Sequence, residues 1–214
     1  MVRIYCFLIG YFIGVISFAY IIGKIKGENI QQKGSGNLGA TNTMRVLGKK
    51  AGFVVMFLDF LKIAIAITLV NLLFGESFHN EIFLLHTYAL AGGILGHDFP
   101  FYLKFKGGKG CACLSGYIIF FHPILAIFLA TAFFLILHIT HYMSVCTMSL
   151  YAFFGAIVIF CGQKGMLGLE HGQLVEVYLI YILLFVITLI KHTSNIKRII
   201  KNEENKTYLI KKRK

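Results

Sequence analysis

Charge is what this chain has least of. Only 14% of its 214 residues are Asp, Glu, Lys or Arg, where a soluble globular domain carries roughly 25%. Acids are scarcer still, with nine Asp and Glu against 21 Lys and Arg, a net charge of +12. So few charges cannot wet a soluble globule. Disorder is excluded as well, because it requires low hydrophobicity and this chain is 57% hydrophobic with a mean hydropathy of +0.76. Only two prolines stand in the way of long apolar runs. The five cysteines (Cys6, Cys111, Cys113, Cys146, Cys161) show no Cys-x-x-Cys spacing and no neighbouring Cys or His pair, so neither a zinc site nor a disulfide framework is expected. They read as small buried hydrophobes, and no metal or cofactor is called for. The first apolar run lacks a small-x-small cleavage site and reads as a retained span.

A chain both apolar and basic must segregate the two properties, as integral membrane proteins do. Runs of about 20 apolar residues read as spanning helices. They cover Ile4–Gly23, Ala51–Phe74, Ile82–Gly96, Val145–Cys161 and Leu174–Ile190, with a longer run over Cys111–Leu137 that is interrupted by His122-Pro123. The connecting charges orient them. Lys24–Lys50 carries Lys24, Lys26, Lys33, Arg45, Lys49 and Lys50 against Glu28, and Gly75–Glu81 carries only Glu76 and Glu81. His97–Gly110 carries Lys104, Lys106 and Lys109 against Asp98, and Lys191–Lys214 is strongly basic. Placing the basic segments in the cytoplasm requires the Cys111–Leu137 run to cross twice. The expectation is therefore an all-α integral membrane protein of about seven segments, N-terminus out and C-terminus in. It includes short half-helices beside glycine-rich cytoplasmic loops. Residues 1–200 form one polytopic domain and 201–214 a basic tail. Cys111–Phe121 would be only about 16 Å long, and a short element at membrane depth needs a protein-lined or watery cavity around it.

Three polar segments carry the chemistry. The first is Gly34-Ser35-Gly36-Asn37-Leu38-Gly39-Ala40-Thr41-Asn42-Thr43-Met44-Arg45. Its Gly-x-Gly-x-x-Gly spacing is not a dinucleotide fingerprint, since a membrane helix rather than a strand precedes it. Its glycines nevertheless let amides approach an anion closely, its side chains add donors, and Arg45 offers a fork suited to phosphate. The second runs from Gly96-His97 to Lys106-Gly107-Gly108-Lys109-Gly110, placing cations and flexible backbone before the N-terminus of the short helix. It is not a Walker A loop. The third is His192-Thr193-Ser194-Asn195-Ile196-Lys197-Arg198, where His192 and Asn195 share a face of a continuing helix. Asp59 and Lys62 can pair at i,i+3 inside the second span, mainly as a structural pair, although intramembrane charges are functional candidates. One phosphate would not need all these donors; two phosphorylated ligands would. No His is followed five residues later by Asp, and no Gly-x-Ser-x-Gly elbow occurs.

Together these segments resemble the bacterial acyl-phosphate:glycerol-3-phosphate acyltransferase family, PlsY. Ser35–Asn42 with Arg45 and Leu47-Gly48-Lys49-Lys50 is similar to its first motif, and Gly96-His97 through Gly110 to its second. His192, Asn195 and Ile196, with Arg198 and Glu204, are similar to its third. Phe57–Lys62 and Tyr142-x-Ser144-x-x-Thr147 also fit. Thr193 stands where Arg is common, Asn202 where Gly is often found and Cys113 where a small hydroxyl is usual. Tyr208–Lys214 resembles an extension.

The resemblance implies a seven-helix enzyme of the bacterial cytoplasmic (inner) membrane, its site facing the cytoplasm. It would move a fatty acyl group from acyl phosphate to the 1-hydroxyl of sn-glycerol 3-phosphate, without acyl-CoA as direct donor. On the residues present, Ser35, Gly36, Asn37, Gly39, Thr41 and Asn42 would hold the acyl phosphate. Arg45, Lys106, Lys109, Ser144, Thr147, His192 and Asn195 would hold glycerol 3-phosphate, with His97, Lys109 and His192 as catalytic candidates. Expected partners are the two substrates, the bilayer and the enzyme that makes acyl phosphate from acyl carrier protein, with no nucleic acid. A transporter or scramblase for anionic lipids would use similar cations, but the chain lacks the internal repeats that alternating access favours. A structural protein binding anionic lipid would account for the basic tail alone.

Overall fold

A computed structural model describes residues 1–208; Lys211, Lys212, Arg213 and Lys214 of the expected basic tail lie outside the described residues. The regular structure of the described residues is all helical. Its helices are α1 (Val2–Gly14), α2 (Phe18–Ile25), α3 (Ala40–Leu47), α4 (Lys49–Phe74), α5 (Ile82–Asp98), α6 (Cys111–Phe121), α7 (Pro123–Thr140), α8 (Met143–Gln163), α9 (His171–Lys191) and α10 (Thr193–Ile200). Among the described residues, five stretches are long and apolar enough to cross a membrane: Val2–Ile25, α4, α7, α8 and α9. Their outward side chains are large and apolar, as at Phe12, Leu72, Ile124 and Ile190, which suits lipid contact.

The expected break at His122-Pro123 is present. Proline at the first position of α7 needs no amide partner there, and α6 ends one residue before His122. A second break falls where no proline stands, between α1 and α2. Tyr102 Oη donates to Val15 O at 2.9 Å, and Lys62 Nζ donates to Ile16 O at 2.9 Å. Ser17 Oγ caps α2 by accepting from Tyr20 N. Tertiary donors satisfy the carbonyls that a continuous helix would have used, so the apolar run alone could not reveal the break. Likewise, the segment read as one polar loop becomes helical at Ala40, directly after its last glycine.

The tightest packing is between α1 and α5. A Cβ added at Gly10 would lie 1.9 Å from Ala89 O, one at Gly92 would lie 2.0 Å from Phe7 O, and one at Gly14 would lie 2.3 Å from Gly93 O. Gly10 and Gly14 on one helix, with Gly92 and Gly96 on the other, each repeat every four residues and let the two backbones touch. At the membrane end away from the polar loops, Arg3 Nε of α1 meets Glu176 Oε2 of α9 at 3.0 Å, and Tyr88 Oη of α5 donates to the same carboxylate at 2.8 Å. By contrast, α7 buries only Leu129 and Leu137.

Candidate active site

All three polar segments converge at one end of the bundle, around a cavity of about 500 Å³. The starts of three helices face it: Gly39, Ala40 and Thr41 at α3; Lys109, Cys111 and Ala112 at α6; and His192 and Asn195 at α10. Helix N-termini present unpaired amides and positive dipole ends, so backbone alone makes this end receptive to anions. Away from them the cavity becomes apolar, lined by Phe53, Met56 and Phe60 of α4, Ile118 and Ile119 of α6, and Leu129, Phe133 and Phe134 of α7. The loosely packed α7 therefore forms one wall.

Of the residues singled out from the sequence, Ser35, Asn37, Gly39, Thr41, Asn42, Arg45, His97, Lys109, Ser144, Thr147, His192 and Asn195 line this one cavity. Gly36 and Lys106 do not. Gly36 turns the loop with φ +70°, and a Cβ there would lie 2.9 Å from Gln31 O, so its contribution is to loop shape. Lys106 is exposed and its carbonyl accepts from Gln31 Nε2 at 3.1 Å. Asn42, expected to donate to a ligand, instead organises the loop. Its Oδ1 accepts from Ser35 N at 2.8 Å, and Nδ2 donates to Ile30 O at 3.2 Å and Lys33 O at 3.0 Å. Both amide hydrogens are thereby engaged.

On the opposite wall, Lys109 donates to Asn195 Oδ1, and Asn195 Nδ2 donates to Glu204 Oε1 at 2.6 Å. Arg198 Nε pairs with Glu204 Oε2 at 2.6 Å. Glu204 thus neutralises part of a cation cluster and fixes the direction of the Asn195 amide. It is brought there by a reversal at Asn202, whose φ of +57° is left-handed. Asparagine tolerates that region better than most residues, so it can stand where the resemblance led us to expect glycine. The chain then crosses to the α7–α8 corner, where Thr207 N donates to His141 O at 2.7 Å and the Tyr208 ring packs on His141. Glu204 and Thr207 line the mouth of the cavity.

Two electrostatic features follow from burial. The Lys109 ammonium is pushed down to about 8, chiefly by desolvation and next by nearby Arg198. The His192 imidazole is pushed down to about 4, again chiefly by desolvation, with Lys109 adding repulsion. His192 is therefore neutral at physiological pH. Its Nδ1 lies 2.8 Å from Thr188 O; a carbonyl can only accept, so Nδ1 carries the proton and Nε2 is bare. Ser144 Oγ is buried with no partner among the described residues, a hydroxyl available to a ligand.

Asp59, expected mainly as half of a structural pair, also lines the cavity. Lys62 Nζ meets Asp59 Oδ1 at 2.8 Å and His97 Nδ1 at 2.9 Å. A carboxylate and an ammonium three residues apart inside an apolar span were the available signal; their link to His97 depends on how α4 and α5 pack. The described residues hold no group of three His, Cys, Asp or Glu placed to bind a metal.

The glycerol-3-phosphate acyltransferase family profile matches residues 4–202. A glycerol-3-phosphate acyltransferase 2 of Bacillus cereus is 37% identical over 212 residues, covering 97% of this chain and 96% of the relative. A glycerol-3-phosphate acyltransferase of Staphylococcus haemolyticus is also 37% identical, covering 96% of this chain and 98% of the relative. The fold is similar to the crystal structure of PlsY (YgiH), an integral membrane glycerol 3-phosphate acyltransferase, in its glycerol 3-phosphate form. The TM-score is 0.79 at 30% identity, with 96% of each chain covered. For the lysophosphatidic acid form the TM-score is 0.76 at 30% identity, covering 96% of this chain and 95% of the other. On the profile match, the relatives and the fold together, this chain belongs to the glycerol-3-phosphate acyltransferase family and is an integral membrane enzyme of the PlsY type.

Proposed function

We propose that the cavity transfers a fatty acyl group from acyl phosphate to the 1-hydroxyl of sn-glycerol 3-phosphate, releasing lysophosphatidate and inorganic phosphate. The observation that carries this reading is the cavity's two-part lining. Its polar end offers helix N-termini, Arg45, Lys109 and the unpartnered Ser144 hydroxyl to phosphates, while its apolar end suits an alkyl chain. The related PlsY structures described as glycerol 3-phosphate and lysophosphatidic acid forms support it.

Acyl phosphate is a mixed anhydride with a good leaving group, so catalysis rests on positioning and charge stabilisation. The 35–41 loop, shaped by Asn42 and Gly36, cradles the phosphoryl group. Arg45, Lys109, Ser144, Thr147, His192 and Asn195 hold glycerol 3-phosphate, and Lys106 attracts it from outside. The hydroxyl oxygen attacks the acyl carbon, the bond from that carbon to the bridging oxygen breaks, and phosphate leaves with the electron pair. The hydroxyl proton ends on the departing phosphate, directly or through the bare Nε2 of His192. No covalent enzyme intermediate is formed.

The enzyme sits in the bacterial cytoplasmic membrane as seven segments, with α5 and the short α6 added to the five long spans. The N-terminus is outside and the C-terminus inside. Residues 1–200 form the membrane domain and the basic tail follows it. The cavity opens to the cytoplasm, where soluble glycerol 3-phosphate and the enzyme that makes acyl phosphate from acyl carrier protein are found. Purified protein given palmitoyl phosphate and labelled glycerol 3-phosphate yields lysophosphatidate and phosphate in equal amounts; turnover with palmitoyl-CoA but not palmitoyl phosphate would refute the donor assignment.

A further inference from the structure

The roles of His97 and His192 can be separated by asking where each imidazole keeps its proton. An ammonium group has three hydrogens and no lone pair, so each atom hydrogen-bonded to it must accept. Lys62 Nζ has three neighbours at such distances: Asp59 Oδ1 at 2.8 Å, Ile16 O at 2.9 Å and His97 Nδ1 at 2.9 Å. His97 Nδ1 therefore presents a lone pair, and the neutral ring carries its proton on Nε2. His192 is reversed, because Nδ1 donates to Thr188 O and Nε2 is bare.

The His97 arrangement is rigid. Asp59, Lys62 and His97 are all buried, at 1%, 2% and 5% exposure. The ring lies against Gly108, where an added Cβ would fall 1.9 Å from Nε2. Gly108 N in turn donates to His97 O at 3.0 Å. Nε2 has no hydrogen-bond partner among the described residues, and His97 lines the cavity. The helix break after α1 contributes directly, since it frees the Ile16 carbonyl that takes the third Lys62 hydrogen.

We propose that Asp59 and Lys62 are positioning residues that lock His97 as its Nε2–H tautomer, making His97 a hydrogen-bond donor to the acyl carbonyl oxygen as negative charge develops there, and not a base. This rests on the acyl-transfer reading of the same cavity. His97 keeps its proton throughout: the glycerol hydroxyl forms the new carbon–oxygen bond, the bond from the acyl carbon to the bridging oxygen breaks, and the hydroxyl proton goes to phosphate or to His192 Nε2. The two histidines thus supply opposite functions, donor and acceptor.

The test starts from the wild-type protein with nitrogen-15-labelled histidine in detergent micelles, the His97 signals being assigned by their loss in His97→Gln. The expected spectrum has His97 protonated at Nε2 and bare at Nδ1, and His192 the reverse; His97 protonated at Nδ1 would overturn the proposal even if every variant misfolded. In kinetics, His97→Leu lowers kcat roughly 10²-fold with little change in the Michaelis constant for glycerol 3-phosphate. His97→Gln, whose amide can donate, recovers much of that loss. The doubly neutral Asp59→Asn/Lys62→Met variant leaves no unpaired buried charge; its His97 becomes a tautomer mixture and kcat falls about 10-fold or more. Full kcat in folded His97→Leu or in the double variant would refute the proposal. Absence of wild-type turnover with palmitoyl phosphate would instead refute the acyl-transfer reading, leaving the tautomer result to stand by itself.

Discussion

The α1–α5 side and the α6–α7 side of the bundle are built in opposite ways. On the first, glycines bring two backbones into contact, and the carbonyls released by the helix break are tied down by Tyr102 and Lys62. On the second, α6 is short, α7 is joined to it through His122-Pro123, and α7 buries only two residues. The donor proposed for the acyl carbonyl depends on the tight side: His97 lies in the last turn of α5 and rests on Gly108. The apolar wall is on the loose side. The contrast gives one cavity a polar end of fixed geometry and an apolar wall whose contacts are non-directional.

The comparison breaks most completely at the glycines. Gly92→Leu forces atoms into Phe7 O and destabilises the protein by about 3 kcal/mol, the upper end of the usual cost of overpacking, read as loss of monodisperse protein in detergent. Gly155→Ala on α8, where an added Cβ meets nothing within 4 Å, changes stability by no more than ~1 kcal/mol. Next in size is the polar end. Lys109→Ala removes a half-buried cation and lowers kcat/KM for glycerol 3-phosphate by roughly 10²-fold or more.

The Lys109 pKa of about 8 sets a pH dependence. A lowered lysine pKa keeps the cation below pH 8 and loses it above. The Michaelis constant for glycerol 3-phosphate therefore rises as the pH climbs through about 8, and Lys109→Arg delays that rise. His192, at about 4, stays neutral across this window. Smaller effects belong to the loose side. Leu129→Phe fills part of the apolar wall and shifts preference towards shorter acyl phosphates by ~10-fold in kcat/KM. Least affected is the far end, where Arg3→Gln removes a partly exposed ion pair worth ~0–1 kcal/mol and leaves kinetics unchanged.

Much of this contrast was legible in the sequence, for identifiable reasons. Pro123 announced its break because proline cannot continue a helix. Lys109, His192 and Asn195 stood out because polar residues are rare in so apolar a chain. The α1–α2 break was hidden because its causes, Tyr102 and Lys62, lie far away in sequence. Asn42 was recognised as polar but not as a loop organiser, since its partners are backbone groups set by the fold. Glu204 enters the site only through the left-handed turn at Asn202, and the tautomer proposed for His97 depends on α4, α5 and the break between α1 and α2 meeting at one ammonium.

Direct transfer requires that one cavity hold both substrates, with no acylated enzyme between them. Rapid mixing of the enzyme with palmitoyl phosphate alone, followed by phosphate detection and intact-protein mass spectrometry, tests it most directly. Neither a phosphate burst nor an acylated protein is expected until glycerol 3-phosphate is added. A burst stoichiometric with enzyme, together with a protein mass increased by one palmitoyl group, would contradict it.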